Sequence, residues 1–493
     1  MRTAGVAFLF SMAVAAALTP AVRLFALRRG LLDHAIGSRK IHGKPIPRLG
    51  GIAIVAAFYA PIVALLVYTT GMGTILFADR ARAFGLLGGG LAIAALGMVD
   101  DLRGTGAGLK FFVQFAVALL LYQAGFHIDR IATPWGEPVA LGMLALPFTL
   151  LWIVGVVNAM NLVDGLDGLA GGVALFALVT TFAIAFFRGE AIMALFSAAL
   201  AGAVIGFLFY NFNPASIFMG DTGSMFLGFV LAAGSIWTNQ KSSTAVAIIV
   251  PVVALGLPIA DTLLAIVRRA LRGRPLFSAD KEHIHHRLLA LGLSHRQAVM
   301  VLYGACIVLG SSALILSFAN SGQTALVLST LSIVGFFSVR RLGFLRRAPR
   351  HERRKNREVR ALVREIDASL QRARTPTEVW DAVRPFGAAV SASRISLALP
   401  AVRPSGDLVT TLYEQRTVTS GKAPFETPFE IGDEGGRLVL AWDDGRVEIE
   451  RDQEIAAEVL CDHVADALER IAPRTQQVAV GEARILSLPR QKQ

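Results

Sequence analysis

Carboxylates, amides and imidazoles gather in four short stretches of this sequence, each beside an apolar run. They are Asp100 with Asp101; Asn158, Asn161, Asp164 and Asp167; Asp221 with Thr222 and Ser224; and His283, His285, His286 and Arg287. Polar groups at a bilayer edge are costly, so this many of them beside apolar segments points to one shared reaction site. Carboxylates with cations nearby suit a divalent metal ion and a phosphorylated substrate.

The spacing within each stretch narrows the chemistry. Adjacent residues on a helix diverge by about 100°, so of Asp100 and Asp101 one faces the site and the other a neighbour such as Lys110 or Arg103. Asn158, Asn161, Asp164 and Asp167 step by three, which on one continuous helix spreads them over about half the circumference. Gly165 and Gly168 predict a helix break after Asp164 and a loop that folds the later carboxylate back. These oxygens are hard ligands suited to Mg²⁺, and the amides can also read a base or a sugar; Asp167 as a helix N-cap is the competing reading. Asp221 and Thr222 open a helix, where free N–H groups favour anions. In an extended loop His283 and His285 share a side. Zinc is a rival ligand there, but no cysteine is close and the surrounding arginines suit phosphate better. A fifth stretch, from Arg39 to Gly51, carries Lys40, His42 and Arg48 with Pro45 and Pro47 to stiffen it. It either anchors the chain by charge or recruits an anionic lipid phosphate.

The elements that must position these residues are membrane helices. The 493-residue chain is 54% hydrophobic with a mean hydropathy of +0.56, too apolar for an ordinary soluble enzyme. Spans are expected at roughly 4–26, 49–69, 84–99, 110–125, 141–159, 169–186, 191–209, 223–238, 244–267, 299–317 and 323–339. Residues 4–22 read as an uncleaved first span rather than a signal peptide, because Arg28 and Arg29 follow directly. The net charge of +12 sits mainly in loops, which fits positive-inside topology and not nucleic-acid binding. Arginine and lysine crowd the segments 23–48 and 268–296 and the stretch after the last span. About eleven alternating helices with the N-terminus outside therefore place every cluster on the cytoplasmic side. The outside segment 126–140 is expected to form a small hairpin. Cys306 and Cys461 lie in unlike contexts and fit neither a disulfide nor a metal site.

Residues 1–341 thus form the transmembrane domain, 342–374 a basic juxtamembrane linker or helix, and 375–493 a soluble cytoplasmic α+β domain. In the last, Thr375 to Glu378 spell a capping box. Strands are expected at about 393–400, 407–414, 426–431 and 436–442, and a helix over 451–472 with Leu460, Val464, Leu468 and Ile471 on one stripe. The order of elements loosely resembles a GAF-like sensory module; a structural or dimerising appendage is the plainer reading.

Taken in order, the motifs resemble those of the polyprenyl-phosphate N-acetylhexosamine-1-phosphate transferase superfamily. They run from Arg39-Lys40-x-His42 and Pro45-x-Pro47-Arg48-x-Gly50-Gly51, through Asp100-Asp101 and Asn158 to Asp167, to Phe218 through Ser224 and His283-x-His285-His286. The resemblance implies transfer of a sugar-1-phosphate from a UDP-N-acetylhexosamine to a membrane polyprenyl (undecaprenyl) phosphate, with release of UMP and dependence on Mg²⁺, with Mn²⁺ as the alternative. It implies Asn161 and Asp221 as metal contacts. The candidate catalytic set is Asp100, Asp101, Asp164, His283 and His285, with one of the first pair beside the lipid phosphate as a base. Asp164 would also hold the nucleotide. Asn158, Asp167, His286 and Arg287 would meet the nucleotide and diphosphate, and Lys40, His42 and Arg48 the lipid phosphate. Ile284, where the muramoyl-pentapeptide branch usually has a histidine, favours the branch that uses UDP-N-acetylglucosamine for O-antigen, lipopolysaccharide, teichoic acid or other cell-wall glycans. The implied location is the inner or plasma membrane, and a homodimer is a further expectation. Direct attack and an aspartyl phospho-enzyme both remain open. The rivals from other classes are a transporter or flippase, and a receptor signalling through the tail; clusters at span ends rather than at the bilayer midplane favour an enzyme.

Overall fold

The computed structural model describes residues 2–33, 46–67, 71–133, 136–239, 249–272, 283–343, 350–402, 408–416, 425–432, 436–446, 449 and 451–485. It divides into two compact units at Leu345/Arg346.

The first unit starts with α1 (Arg2–Arg29), a short ribbon of β1 (Leu32–Asp33) with β2 (Ile46–Pro47), α2 (Gly50–Val67) and α3 (Gly71–Ala78). Next come α4 (Arg80–Arg103), α5 (Ala107–Gln123) and the antiparallel hairpin β3 (Arg130–Thr133)–β4 (Gly136–Ala140), which lies inside the segment expected to form one. The rest is helical: α6 (Ala145–Val163), α7 (Leu169–Phe187), α8 (Ala191–Asn211), α9 (Gly220–Asn239), α10 (Ile249–Ala254), α11 (Gly256–Arg272), α12 (Ile284–Ala290), α13 (His295–Leu316) and α14 (Ser321–Arg341).

Among the described residues, eight helices are long and apolar enough to cross a membrane, and α5 is a shorter apolar helix. The chain is a polytopic membrane protein. Apolar side chains left exposed along α14, such as Leu326, Ile333 and Phe337, are what a lipid-facing helix requires. The stretch expected as one span over 244–267 differs: it is two helices parted at Leu255. Pro258 explains the break, since it has no N–H to give the Ala254 carbonyl and its ring crowds that oxygen.

Close approaches at glycines fix the running directions. A Cβ on Gly202 would lie 2.0 Å from the Phe8 carbonyl oxygen, and one on Gly206 would lie 2.4 Å from that of Met12. Equal steps of four on both helices mean that α1 and α8 run parallel. Gly97 abuts Asp221 and Thr222 while Gly89 abuts Phe229, so α4 and α9 are antiparallel. Gly172 meets Tyr303 and Gly310 meets Thr180, so α7 and α13 are parallel. These directions bring the C-terminal ends of α4 and α6 to the N-terminal end of α9, and that end of the helix layer is where the polar clusters lie.

The second unit holds α15 (Arg350–Leu370), α16 (Pro376–Val383), α17 (Pro385–Ala389), β5 (Arg394–Val402), β6 (Leu408–Arg416), β7 (Phe425–Ile431), β8 (Gly436–Trp442) and α18 (Arg451–Ile485). The antiparallel sheet has the order β6-β5-β8-β7. Alternate residues Ile395, Leu397 and Leu399 of β5 and Leu438, Leu440 and Trp442 of β8 are buried, as a half-covered sheet demands. They share one core with Val359, Val363, Ile366 and Leu370 of α15 and Leu460, Val464 and Ile471 of α18. The core of this unit therefore reaches back into the segment expected to be a linker. The Thr375 hydroxyl accepts from the Glu378 N–H at 3.3 Å, but the Glu378 carboxylate takes the Arg374 N–H instead of closing the box on Thr375.

Candidate active site

The N-terminus of α9 is the centre of the site, and it is capped from another helix. Asp101, near the end of α4, accepts the main-chain N–H of Asp221 at 2.8 Å, that of Thr222 at 3.0 Å and the Thr222 hydroxyl at 2.6 Å. The two N–H groups are among those that a helix start leaves unsatisfied. The junction closes because Gly97 and Gly220 have no side chains. A Cβ on Gly220, which sits at φ +72°, would fall 2.2 Å from the Arg48 carbonyl oxygen and 2.6 Å from the Asp101 carboxylate.

Asp100 is turned elsewhere, as its helical offset requires. Its Oδ1 accepts the Thr105 N–H at 2.8 Å and the Thr105 hydroxyl at 2.6 Å. Its Oδ2 lies 2.7 Å from Lys110 Nζ, and the same ammonium lies 2.8 Å from Asp221 Oδ2. Lys110, expected only as a neighbour of Asp100, is therefore the cation between two carboxylates of the site. Of the aspartate pair expected to include a base, Asp101 has both oxygens engaged in capping α9.

The stretch that contains Arg48 is locked in place by main-chain bonds. Phe218 N–H donates to the Pro47 carbonyl at 2.7 Å, Gly50 N–H to Phe218 at 2.9 Å and Gly51 N–H to Met219 at 2.7 Å. Gly51 stands where a Cβ would be 2.2 Å from the Gly223 nitrogen. This close approach is the physical reason for the paired glycines. Lys40 and His42 lie outside the described residues.

The α6 helix ends at Val163, and α7 starts after Gly168, whose φ of +77° is a left-handed conformation that glycine adopts at little cost. Asn161 donates to Ser224 Oγ at 3.0 Å and also hydrogen-bonds Asp221. Asp164 lies beyond the end of the span and within electrostatic reach of Asp221, Asp101 and Arg48. Burial first, then the charges of Asp221 and Asp101, push its carboxyl up to about 7, while Arg48 pulls the other way.

Two residues expected to meet nucleotide also make hydrogen bonds within the protein. Asp167, 5% exposed, accepts Asn213 Nδ2 at 2.9 Å and the Ala215 N–H at 3.0 Å through Oδ2. It braces the turn after α8 through Oδ2, while its buried Oδ1 has no hydrogen-bond partner among the described residues. It is not the N-cap of α7, since that position is Gly168. Asn158 donates to Gln114 Oε1 at 2.6 Å and to the Val154 carbonyl at 2.8 Å, which leaves its amide oxygen as the group facing other partners.

The histidine stretch closes the other side. A Cβ on Gly165 would lie 2.5 Å from His285 Nε2, so the imidazole rests on the turn that follows Asp164. Burial, then His286, pushes the His285 ring down to about 3, so it is neutral at pH 7. The His285 and His286 rings are 4.3 Å apart, and His286 and Arg287 are half-buried in α12. His283 is buried and pairs through Nδ1 with Asp261 Oδ2 at 3.0 Å. Asp261 stands outside the sequence motifs. The available signal was a lone carboxylate within the apolar run 244–267.

Carboxylate and amide oxygens from Asp221, Asp100 and Asn161 are the donor type a hard cation takes. Among the described residues, however, no three His, Cys, Asp or Glu side chains are already grouped to hold a metal ion; the Lys110 ammonium stands between the two carboxylates instead.

The chain is similar in sequence to known proteins. The sequence model of the family described as Glycosyl transferase family 4 matches residues 83–239. A Bacillus subtilis (strain 168) protein described as a probable undecaprenyl-phosphate N-acetylglucosaminyl 1-phosphate transferase is 39% identical over 329 residues, covering 66% of this chain and 89% of that protein. A Mycolicibacterium smegmatis decaprenyl-phosphate N-acetylglucosaminephosphotransferase is 37% identical over 362 residues, covering 66% and 85%. A phospho-N-acetylmuramoyl-pentapeptide-transferase of Listeria welshimeri is 33% identical over 282 residues, covering 54% and 82%.

Proposed function

The chain belongs to glycosyl transferase family 4, and from that membership we propose that it transfers N-acetylglucosamine-1-phosphate from UDP-N-acetylglucosamine to undecaprenyl phosphate, releasing UMP. The observation that carries this reading is the convergence of Asp100, Lys110, Asn161, Asp164, Asp221 and His285 at one end of the helix layer. N-Acetylglucosamine is preferred over the muramoyl-pentapeptide substrate because the pentapeptide-transferase relative matches at lower identity and over less of this chain. The site faces the cytoplasm, the side marked by the basic loops.

In the reaction an oxygen of the lipid phosphate attacks the sugar-side phosphorus of the diphosphate. The bond from that phosphorus to the bridging oxygen breaks, and UMP leaves with the bridging oxygen. Such transfers depend on positioning and on neutralising charge rather than on strong bases. The lipid phosphate is ionised at neutral pH, and Asp100 and Asp101 are both engaged by donors, which favours direct attack. Lys110 and Arg48 supply fixed positive charge, and the half-buried Arg287 adds more from α12. Asn161 and Asp221 would hold Mg²⁺, which when bound supplies charge neutralisation to the diphosphate.

The test is direct. Purified protein with undecaprenyl phosphate, Mg²⁺ and UDP-N-acetylglucosamine is expected to release UMP stoichiometrically with lipid-linked sugar. Folded protein that releases none from any UDP-sugar would falsify the reading.

A pH dependence follows from Asp164. Its carboxyl, held up at about 7 by burial and by Asp221 and Asp101, is protonated below that pH and charged above it. Ionisation adds negative charge beside the proposed cation, and a bound cation in turn favours the ionised form. Affinity for Mn²⁺, read by electron paramagnetic resonance, is therefore expected to weaken as pH falls through about 7. In Asp164→Asn the dependence flattens across that window. An unchanged slope in the variant removes Asp164 from the cation's surroundings.

A further inference from the structure

Asp261 lies on α11, outside every motif that the sequence singles out, and it is 4% exposed. Each of its carboxylate oxygens has a separate partner. Oδ2 is 3.0 Å from His283 Nδ1, and Oδ1 accepts the Ile284 N–H at 2.8 Å. His283 is the N-cap residue of α12 but makes no capping bond with its own side chain. Asp261 thus supplies, from a different helix, the acceptor and the negative charge that a helix start favours. The other oxygen holds the ring of the residue at that start. With Nδ1–H donating to the carboxylate, the tautomer that carries its lone pair on Nε2 is the one this pairing selects.

The consequence extends two residues further. The His283 and His285 rings are nearly coplanar in orientation, 3° apart with centroids separated by 5.8 Å, and His285 rests on Gly165 next to Asp164. Moving the start of α12 moves His285 against the turn that carries the carboxylates.

We propose that Asp261 is a positioning residue of the transferase: it fixes the His283 tautomer and clamps the histidine helix against the Asp164–Gly165 turn. This rests on the function proposed above. It separates a side chain that sets geometry from those that touch substrate.

Two variants of the full-length protein test it. Asp261→Asn keeps an oxygen for the Ile284 N–H, but its amide nitrogen now donates toward His283 Nδ1 and forces the proton to Nε2. Asp261→Ala loses both interactions. Hydrogen exchange over residues 284–290 is expected to rise in Asp261→Ala and to stay near wild type in Asp261→Asn. Both are expected to lose about 10–100-fold in UMP release, on the scale of small misplacements in an active site, with kcat falling more than KM rises. A purely structural carboxylate predicts full turnover in the well-capped Asp261→Asn. That result overturns the proposal, as does unchanged exchange in Asp261→Ala. If wild-type protein itself released no UMP, the transferase reading would fail, while the exchange measurement would still decide whether Asp261 clamps α12.

Discussion

Replacing Asp221 with alanine is expected to lower turnover by on the order of 10³-fold while leaving the fold intact. The two halves of that expectation come from different atoms. The fold at this point depends on the main-chain N–H groups of Asp221 and Thr222, which donate to Asp101 and do not change when the side chain is removed. The chemistry depends on the carboxylate, which shares Lys110 with Asp100 and hydrogen-bonds Asn161. Without it, Lys110 collapses onto Asp100, Asn161 loses a partner, and the proposed cation loses a charged ligand. A loss of about 10³-fold is roughly 4 kcal/mol of transition-state stabilisation. Asp221→Asn should fall nearly as far, because it keeps the shape and loses the charge. The measurement pairs UMP release with a thermal melt in the same detergent. Turnover within tenfold of wild type and an unchanged melt would remove Asp221 from the reacting centre.

The sequence made the helix layer legible because apolar runs and basic loops are properties of the chain alone. Ordered spacing made the clusters legible for a similar reason. What it left hidden depends on contacts between distant helices. Asp100 and Asp101 are chemically identical neighbours; only the packing of Gly97 on α9 sends one to cap a helix and the other to an ammonium. Lys110 looked like a partner for Asp100 and proved also to hold Asp221, 111 positions away. Asp167 continues the three-residue step, but its contact with Asn213, 46 positions away, depends on the packing of α8 and could not be read from the spacing. Asp261 was hidden because it lies in an apolar run whose partner is 22 residues on. In the tail, alternation predicted the strands closely, since period-two burial is local. The helix over 350–370 was harder, because its charged sequence hides the stripe Val359, Val363, Ile366 and Leu370.

Cap and ion pair differ in what their loss removes, and that difference makes the adjacent aspartates separable by experiment. Asp101→Ala leaves two main-chain N–H groups and a hydroxyl without their acceptor at a closely packed junction. Orphaned donors of this kind cost about 2–4 kcal/mol together. Asp101→Asn should be intermediate, since one amide oxygen can still accept while the amide nitrogen faces an N–H. In both variants activity is expected to fall in step with the melting temperature, and to recover in part on cooling, because the start of α9 has loosened. Asp100→Ala predicts another pattern. It loses the bonds to Thr105 and half of the Lys110 bridge at the exposed end of α4. Melting stays closer to wild type, while turnover drops because Lys110 swings fully to Asp221. An Asp101→Ala protein with a wild-type melt and abolished turnover would reverse this division and return Asp101 to the chemistry as a base.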